Sequence, residues 1–135
     1  MQESTPHSAR ISHVGIALET LNSAIPFYRD ILGLEPVATL DSDGARIEAF
    51  AAGESLVELL EPQSADTPIG KFIAKRGPGI HHICFTVDDL DGVLSRCRSA
   101  GIQLIDEVPR VGAEGKRIAF IHPSSTAGTL IELSE

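Results

Sequence analysis

The sequence predicts an α+β fold in which two tandem βαβββ repeats form a cupped, partly closed mixed sheet around a central metal site. The first observation is that "ISHVGIALETL" (11–21) and "IHHICFTVDDL" (80–90) share a hydrophobic pattern and a histidine at an offset of 69 residues. The second is that "LVEL" (56–59) and "LIEL" (130–133) share another phrase at an offset of 74 residues. The similar offsets indicate a duplicated unit of strand, helix and about three further strands.

The bulk composition is that of a soluble globular protein. Of the 135 residues, 42% are hydrophobic and 22% are charged, and the apolar runs are far shorter than the ~20 residues of a membrane helix. The net charge of −8 argues against nucleic acid or an acidic membrane as a partner. The polar N-terminus has no apolar segment of a signal peptide, so we expect a cytoplasmic protein. Two cysteines, Cys84 and Cys97, form no disulfide or metal-type pattern, and we expect them to pack in the interior.

The length fits a single domain over residues 1–135. Residues 1–9 are expected to form a flexible tail. The first repeat is placed at 10–70 and the second at 78–135, with "GKFIAKRGPG" (70–79) as the connector between them.

The first repeat opens with a strand over "SHVGIAL" (12–18), where apolar residues alternate with small or polar ones. A helix is predicted over "LNSAIPFYRDILGL" (21–34), capped by Thr20 or Asn22. Pro26 lies in its opening turns, where proline is tolerated. Strand-like pieces follow and end in "LVEL".

The second repeat follows the same plan. Its strand is predicted over "HHICFTV" (81–87) and its helix over "LDGVLSRCRSAGI" (90–102), capped by Asp88 or Asp89 and ending near a glycine. The later strands include "GKRI" (115–118), which matches "GARI" of the first repeat, and end in "LIEL".

One histidine and one glutamate occupy matching places in the two repeats. Strand alternation puts His13 and His82 on the face opposite the bulky apolar residues of their strands. It also puts Glu58 and Glu132 on the face opposite the apolar residues of theirs. A glutamate within an apolar strand is costly to bury unpaired. Two such glutamates at equivalent positions therefore indicate a shared cation.

If the repeats pair about a pseudo-twofold axis, His13, Glu58, His82 and Glu132 converge on one concavity. Two imidazoles and two carboxylates suit a divalent ion such as Co, Mn, Ni, Zn or Fe. One strand histidine alone is more often a core residue, and one strand glutamate alone is more often exposed. The two matched pairs favour a metal site.

Glu48 interrupts the repeat, because "RIEAF" (46–50) carries it where "RIAF" (117–120) has alanine. Alternation puts Glu48 opposite Ile47 and Ala49, and a carboxylate that shares the cavity without belonging to the ligand set is a candidate general base.

His81 lies on the same face of its strand as the bulky apolar residues, so it is the poorer functional candidate of the adjacent histidines His81 and His82.

The residues resemble the vicinal oxygen chelate superfamily of glyoxalases and dioxygenases, and within it the methylmalonyl-CoA epimerase family. The resemblance runs from about residue 11 to residue 133 and rests on these phrases: "HVGIA", "FYRDILGL", "VELLEP", "PIGKFIAKRGPGIHHICFTVDD", "VGAEGKRIAFIHP" and "GTLIEL".

This resemblance implies a metal-dependent epimerase that interconverts (2R)- and (2S)-methylmalonyl-CoA through a metal-stabilised enolate. His13, Glu58, His82 and Glu132 match the metal-ligand positions, and Glu48 and Glu132 match the acid/base pair. An acyl-CoA substrate and a homodimer are expected. The cations that are candidates for the coenzyme A phosphates are Lys71, Lys75, Arg76 and Lys116. Many members have lysine after the "HP" phrase, whereas Ser124 follows it here.

Two alternatives remain open at this point. One is another metal-dependent enzyme of the superfamily, such as a glyoxalase acting on a glutathione hemithioacetal. The other is a non-catalytic protein that uses the same fold to bind a small molecule, although such a protein does not need a complete ligand set. The preference between methylmalonyl and ethylmalonyl thioesters has no assigned residue.

Overall fold

The computed structural model describes residues 8–135, which form one eight-stranded mixed sheet with two α-helices. Numbered along the chain, the strands are β1 (Ala9–Ala17), β2 (Pro36–Val37), β3 (Ala45–Ala52), β4 (Ser55–Pro62), β5 (Gly79–Val87), β6 (Arg110–Val111), β7 (Arg117–Ile121) and β8 (Ile131–Ser134). The helices are α1 (Pro68–Arg76) and α2 (Leu90–Ser99). Most of the tail predicted for residues 1–9 lies outside the described residues, and Ala9 begins β1.

The strand order is β2-β3-β4-β1-β5-β8-β7-β6, so each repeat contributes four adjacent strands. Within each repeat the first and last strands pair in parallel, β1 with β4 and β5 with β8. The two repeats meet where β1 and β5 pair antiparallel in the middle of the sheet. The predicted architecture of two βαβββ units sharing one cupped mixed sheet is confirmed.

The first repeat does not contain the continuous helix predicted over 21–34. It has a 3₁₀ helix at Leu21–Ser23 and a π-helix at Phe27–Ile31, closed by the Leu32 amide donating to the carbonyl of Phe27. Pro26 explains the break, because it has no N–H for the preceding turn and its ring crowds the carbonyl four residues earlier. Thr20 precedes the 3₁₀ helix but makes no side-chain cap.

The second repeat has the predicted helix. Asp89 caps α2 by accepting a hydrogen bond from the Gly92 amide, which satisfies one of the free donors of the first turn. Leu90 and Leu94 of α2 are almost fully buried against the sheet. Burying such side chains stabilises the fold by about 1.5–3 kcal/mol each, so α2 anchors one outer layer of the molecule.

Helix α1 begins at the end of the first repeat and continues through most of the connector. Thr67 caps it by accepting from the Gly70 amide, and Gly77, with a φ of 76°, ends it. Ile69 of α1 is buried against Leu60 and Ala45 on the concave side of the sheet. Helix α1 therefore supplies one wall of the concavity, which the sequence pattern did not predict.

No helix among the described residues is long and apolar enough to cross a membrane. Both cysteines are free thiols, Cys84 fully buried and Cys97 half-buried. Cys97, on α2, packs against the hydrophobic core as expected, whereas Cys84 lies on the concave face of β5 beside the polar cluster described below.

Candidate metal centre and active site

The sheet register aligns the predicted ligands in two equivalent rows on the concave face. Each row contains a histidine, a small residue and a glutamate on three neighbouring strands, and paired residues on adjacent strands point to the same face. The rows are His82, Gly15 and Glu58, and His13, Cys84 and Glu132. The repeat offsets convert one row into the other, so the duplication itself creates the cluster.

Gly15 lets the ring of His82 lie directly over β1. A Cβ atom added at Gly15 would lie 2.2 Å from Cε1 of His82, which is far inside van der Waals contact. The glycine is thus required by close approach, and any larger residue there would move the ring of His82 out of the cluster.

The four predicted ligands meet at the Nε2 atom of His13. That atom lies 3.0 Å from Nε2 of His82, 3.0 Å from Oε1 of Glu132 and 3.3 Å from Oε1 of Glu58. Nε2 of His82 lies 3.1 Å from the same Glu132 oxygen. All four side chains are buried, with at most 5% of any residue exposed.

This donor set fits a divalent cation. Ligand atoms ~2.1 Å from one ion lie about 3 Å apart when they subtend a right angle, which is close to the separations seen here. The Oε2 atom of Glu58 is buried and has no hydrogen-bond partner among the described residues. A buried carboxylate oxygen without a partner is costly, and a cation at the centre of the cluster would offset that cost.

The Nδ1 atoms on the far sides of both rings also have polar neighbours. Nδ1 of His13 lies 3.1 Å from Oγ of Ser12 and 2.9 Å from Oε2 of Glu114. Nδ1 of His82 lies 2.9 Å from Nδ1 of His81. In both repeats, the residue just before the histidine contacts its Nδ1, which leaves Nε2 directed at the centre of the cluster.

His81 is closer to the site than its parity predicted. In the β1–β5 register, Gly15 pairs with His82 and Ile16 pairs with Ile80, so His81 has no partner and forms a β-bulge. A bulge redirects the side chains on either side of it. His81 therefore lines the concavity beside His82, and simple alternation along β5 misassigned its face.

Glu48 does not lie in the concavity, and its assignment there is wrong. Ala49 pairs with Glu58 across β3 and β4 and shares its face, whereas Glu48 pairs with Leu59 on the opposite, outer face and is exposed. Alternation correctly predicted that Glu48 lies on the opposite face of β3 from Ile47 and Ala49. It did not predict which of the two faces is concave. The inner face of β3 presents Ala45 and Ile47 to the cavity.

A cavity of about 210 Å³ opens from the cluster. Its polar floor contains Glu58, His82 and Glu132, and its walls are largely apolar, with contributions from α1, β3 and β7. This combination of apolar walls and a few convergent polar groups is typical of small-molecule sites.

The four basic side chains predicted to contact the coenzyme A phosphates lie at different places on the molecule. Lys75 and Arg76, at the end of α1, line a groove that adjoins the cavity at His81 and His82. Lys71 is exposed on the same helix and is not among the residues that line this groove. Lys116 lies beside a small cleft on the Glu114 side of the cluster. The structure thus brings two of the four cations to a groove beside the cavity.

Three residues near the site carried no sequence signal. Glu114 belongs to the loop "GAEGK", which has no strand or helix periodicity, and His81 is hidden by the bulge. Arg110 lines the cavity, donates to Asp106 on its own repeat and to Asp43 on the other, and lies over the ring of Phe120. These contacts join distant parts of the chain, so local pattern does not reveal them.

The titration of the metal-free cluster is strongly perturbed. Burial opposes the charge on His13, but its contacts with Glu114 and Glu132 outweigh burial and raise its pKa to about 10. Burial raises the pKa of Glu58 to about 8. Burial also disfavours ionised Glu132, yet hydrogen bonds from His13 and His82 hold its pKa at about 2. The metal-free centre thus holds protons at neutral pH where a cation would otherwise lie.

We expect the metal-free protein to lose stability as the pH rises from about 6.5 to about 9. Glu58 releases its proton near pH 4.5 when unfolded and near 8 when folded, and His13 does so near 6.5 and near 10. Burial lowers the pKa of His81 to about 4, which opposes the contribution of Glu58 below about pH 6.5. Above that pH the folded state binds more protons, so the free energy of unfolding falls with pH. Thermal unfolding of chelator-treated protein followed by circular dichroism measures this. A melting temperature that rises steadily from about pH 6.5 to about pH 9 would contradict the expected direction.

Comparison with known proteins agrees with this geometry. The profile of the Glyoxalase/Bleomycin resistance protein/Dioxygenase superfamily matches residues 12–120. The chain belongs to this superfamily. The resemblance to its methylmalonyl-CoA epimerase members, noted from the sequence, is confirmed by the similarities that follow.

Three similar proteins illustrate the relationship. The ethylmalonyl-CoA/methylmalonyl-CoA epimerase of Cereibacter sphaeroides is 35% identical over 93% of this chain and 97% of that protein. The uncharacterized protein YqjC of Bacillus subtilis is 41% identical over 93% and 91% of the respective chains. A solved structure of a methylmalonyl-CoA epimerase in complex with methylmalonyl-CoA and NH4+ is 36% identical over 93% of both chains, with a TM-score of 0.88.

Proposed function

We propose that this protein is an isomerase that interconverts (2R)- and (2S)-methylmalonyl-CoA with the help of a divalent metal ion. The observation that carries the proposal is the meeting of two buried carboxylates, one from each repeat, with two imidazoles at the floor of a cavity. The relatives named as epimerases, including one in complex with methylmalonyl-CoA, support this substrate class.

The reaction requires a proton to leave C2 from one face and return to the other. The hydrogen at C2 is acidic because two carbonyl groups flank it, and two acid/base groups are needed, one for each face. His13, Glu58, His82 and Glu132 would hold the divalent ion, whose identity among Co, Mn, Ni, Zn and Fe depends on supply. When bound, the ion supplies Lewis-acid polarisation of substrate oxygens.

We assign the two proton-transfer roles to Glu58 and Glu132, since Glu48 lies outside the cavity. Strands β4 and β8 are separated by β1 and β5, so they lie roughly 14 Å apart along the sheet at ~4.8 Å per step. Their carboxylates nevertheless both lie within 3.3 Å of Nε2 of His13. The two groups therefore approach the floor of the cavity from strands on opposite sides of the β1–β5 pair, an arrangement that would suit removal and return of a proton on opposite faces.

The groove beside the cavity is proposed to bind the coenzyme A portion of the substrate. Lys75 and Arg76 provide positive charge there for phosphate groups, and Pro123 and Thr129 form its other side. Lys116 lies on the Glu114 side of the cluster and Lys71 is not among the groove-lining residues. We therefore favour Lys75 and Arg76 over these two as phosphate contacts.

The double change Lys75→Ala and Arg76→Ala is expected to raise KM for methylmalonyl-CoA by about tenfold and to leave kcat nearly unchanged. Contacts to a non-reacting part of the substrate add equal binding energy to ground and transition states. Steady-state kinetics measure both constants. Lys71→Ala, on the same helix, is the matched control, and an equal rise in KM for this control would contradict the assignment to the groove.

A glyoxalase acting on a glutathione hemithioacetal is a second candidate. The observation that favours it is the pair of carboxylates in a two-histidine, two-glutamate site, since that isomerisation also uses a metal and a carboxylate base. Metal-loaded protein incubated with single epimers of methylmalonyl-CoA, and separately with the hemithioacetal of methylglyoxal, distinguishes the two. Interconversion of the epimers supports the proposal, whereas turnover of the hemithioacetal alone would replace it.

We also propose a cytoplasmic homodimer. Phe27, Ile31 and Leu32 expose 50%, 74% and 51% of their surfaces on one outer segment, which supplies an apolar patch for a second copy. Light scattering of the purified protein measures its mass in solution. A monomer at all concentrations tested would contradict the dimer.

A further inference from the structure

A carboxylate outside the proposed ligand set lies against the far side of His13. Glu114 belongs to the loop between β6 and β7, and its side chain is 17% exposed. Its Oε2 atom is buried and lies 2.9 Å from Nδ1 of His13, at ion-pair distance but outside hydrogen-bond alignment, and it has no hydrogen-bond partner in residues 8–135. The carboxyl of Glu58 is its other polar neighbour. Nδ1 of His13 thus lies beside one buried carboxylate oxygen and one hydroxyl, that of Ser12, with which it forms a hydrogen bond of 3.1 Å.

We propose that Glu114 is a positioning residue that fixes the tautomer and orientation of His13 for metal binding. A proton on Nδ1 would lie beside the Glu114 carboxylate, so the lone pair of the neutral ring would remain on Nε2, the atom nearest His82, Glu58 and Glu132. This inference rests on the metal centre of the proposed function and extends it to a residue that touches neither the ion nor the substrate.

The chemistry of the imidazole explains why a carboxylate is needed. A neutral imidazole has one N–H and one lone pair, and the partner of one nitrogen decides which atom presents the lone pair. An ionised carboxylate only accepts hydrogen bonds, so it places the proton on Nδ1. The hydroxyl of Ser12, 3.1 Å from the same atom, both donates and accepts and cannot impose a tautomer by itself.

The loop holds Glu114 in place through backbone contacts on both sides. The Leu40 amide donates to the carbonyl of Ala113 and joins the loop to the first repeat. The Gly112 amide donates to the carbonyl of Lys116, and Gly115 has a φ of 75°, which glycine adopts without strain. The carboxylate is therefore presented by a tight, anchored turn.

The test is the affinity of the chelator-treated protein for Co²⁺, measured by competition with a chromophoric chelator. Removing an outer-shell partner of a metal-bound histidine typically weakens metal binding by about 10–100-fold, and we expect this for Glu114→Ala. Glu114→Gln retains an acceptor oxygen but has no charge, and we expect an intermediate loss. Glu54→Ala, in the exposed turn between β3 and β4, is the matched control and should bind like the wild type.

A second readout separates positioning from a general effect on folding. Long-range ¹H–¹⁵N spectra of the Co²⁺-free protein at alkaline pH, and of a Zn²⁺-loaded sample, report which nitrogen of His13 has the proton. We expect an Nδ1–H tautomer in the wild type and a mixture in Glu114→Ala. Unchanged Co²⁺ affinity together with an unchanged His13 tautomer in Glu114→Ala would overturn the inference.

Failure of this inference and failure of the proposed function give different results. Wild-type protein that binds Co²⁺ tightly but does not epimerise methylmalonyl-CoA would refute the activity, while the Glu114 variants would still test the positioning role through affinity and tautomer. Wild-type protein that binds none of the divalent ions would overturn both the metal centre and the role of Glu114.

Discussion

Replacing Glu132 by glutamine is expected to lower the rate of methylmalonyl-CoA epimerisation by about a thousandfold or more, because the amide cannot accept or return the C2 proton. The amide oxygen remains available as a neutral ligand, so we expect weakened but measurable metal binding. Rates are measured with saturating metal for the conversion of each epimer separately, which separates the lost proton transfer from lost occupancy of the site.

Glu48→Gln is the matched control for this prediction. Both glutamates lie within strands, but Glu48 is exposed on the outer face of β3, whereas Glu132 is buried on the concave face of β8. We expect Glu48→Gln to retain activity within about twofold of the wild type, as surface substitutions commonly do. A large loss for Glu48→Gln with little effect of Glu132→Gln would reverse the assignment.

Removing the divalent ion is expected to abolish activity and to lower the melting temperature by roughly 10 °C or more. A ligand present at ~1,000 times its dissociation constant stabilises the folded state by about 4 kcal/mol. For a chain of 135 residues, each kcal/mol corresponds to a few degrees. Loss of the ion also leaves buried Glu58 and Glu132 to be balanced by protons alone. Calorimetry before and after chelation measures the shift.

The control for this prediction is His82→Ala, which removes one proposed ligand. Its melting temperature should change little on chelation, whereas the Glu48→Gln protein should respond like the wild type. Equal thermal shifts in the wild type and in His82→Ala would show that the chelator acts elsewhere and would contradict the proposed site.

The duplication made much of the site predictable. Because His13 and His82, and also Glu58 and Glu132, have equivalent places in the two repeats, one pseudo-twofold pairing of β1 with β5 brings all four together. Alternation along each strand then predicted that the two histidines and the two glutamates lie on the face opposite the bulky apolar residues. These features depend on strand periodicity and on repetition, and both are visible in a single sequence.

Other features depend on contacts that periodicity does not contain. Alternation along β3 did not show which face becomes concave, and this led to the wrong position for Glu48. A one-residue bulge reversed the expected side for His81. Glu114 comes from a loop whose position is fixed by a backbone bond from the other repeat. Pro26 divided a helix whose hydrophobic pattern was otherwise regular.

The most direct test of the central claim is deuterium exchange at C2 of single epimers of methylmalonyl-CoA in deuterated water. With metal-loaded wild-type protein, we expect each epimer to yield the other with deuterium at C2, and chelation to stop both reactions. With Glu58→Gln, we expect exchange into only one epimer, without inversion, because one of the two acid/base groups is missing. No deuterium incorporation by protein with a bound divalent ion would contradict the epimerase, and undiminished inversion by Glu58→Gln would contradict the two-carboxylate account.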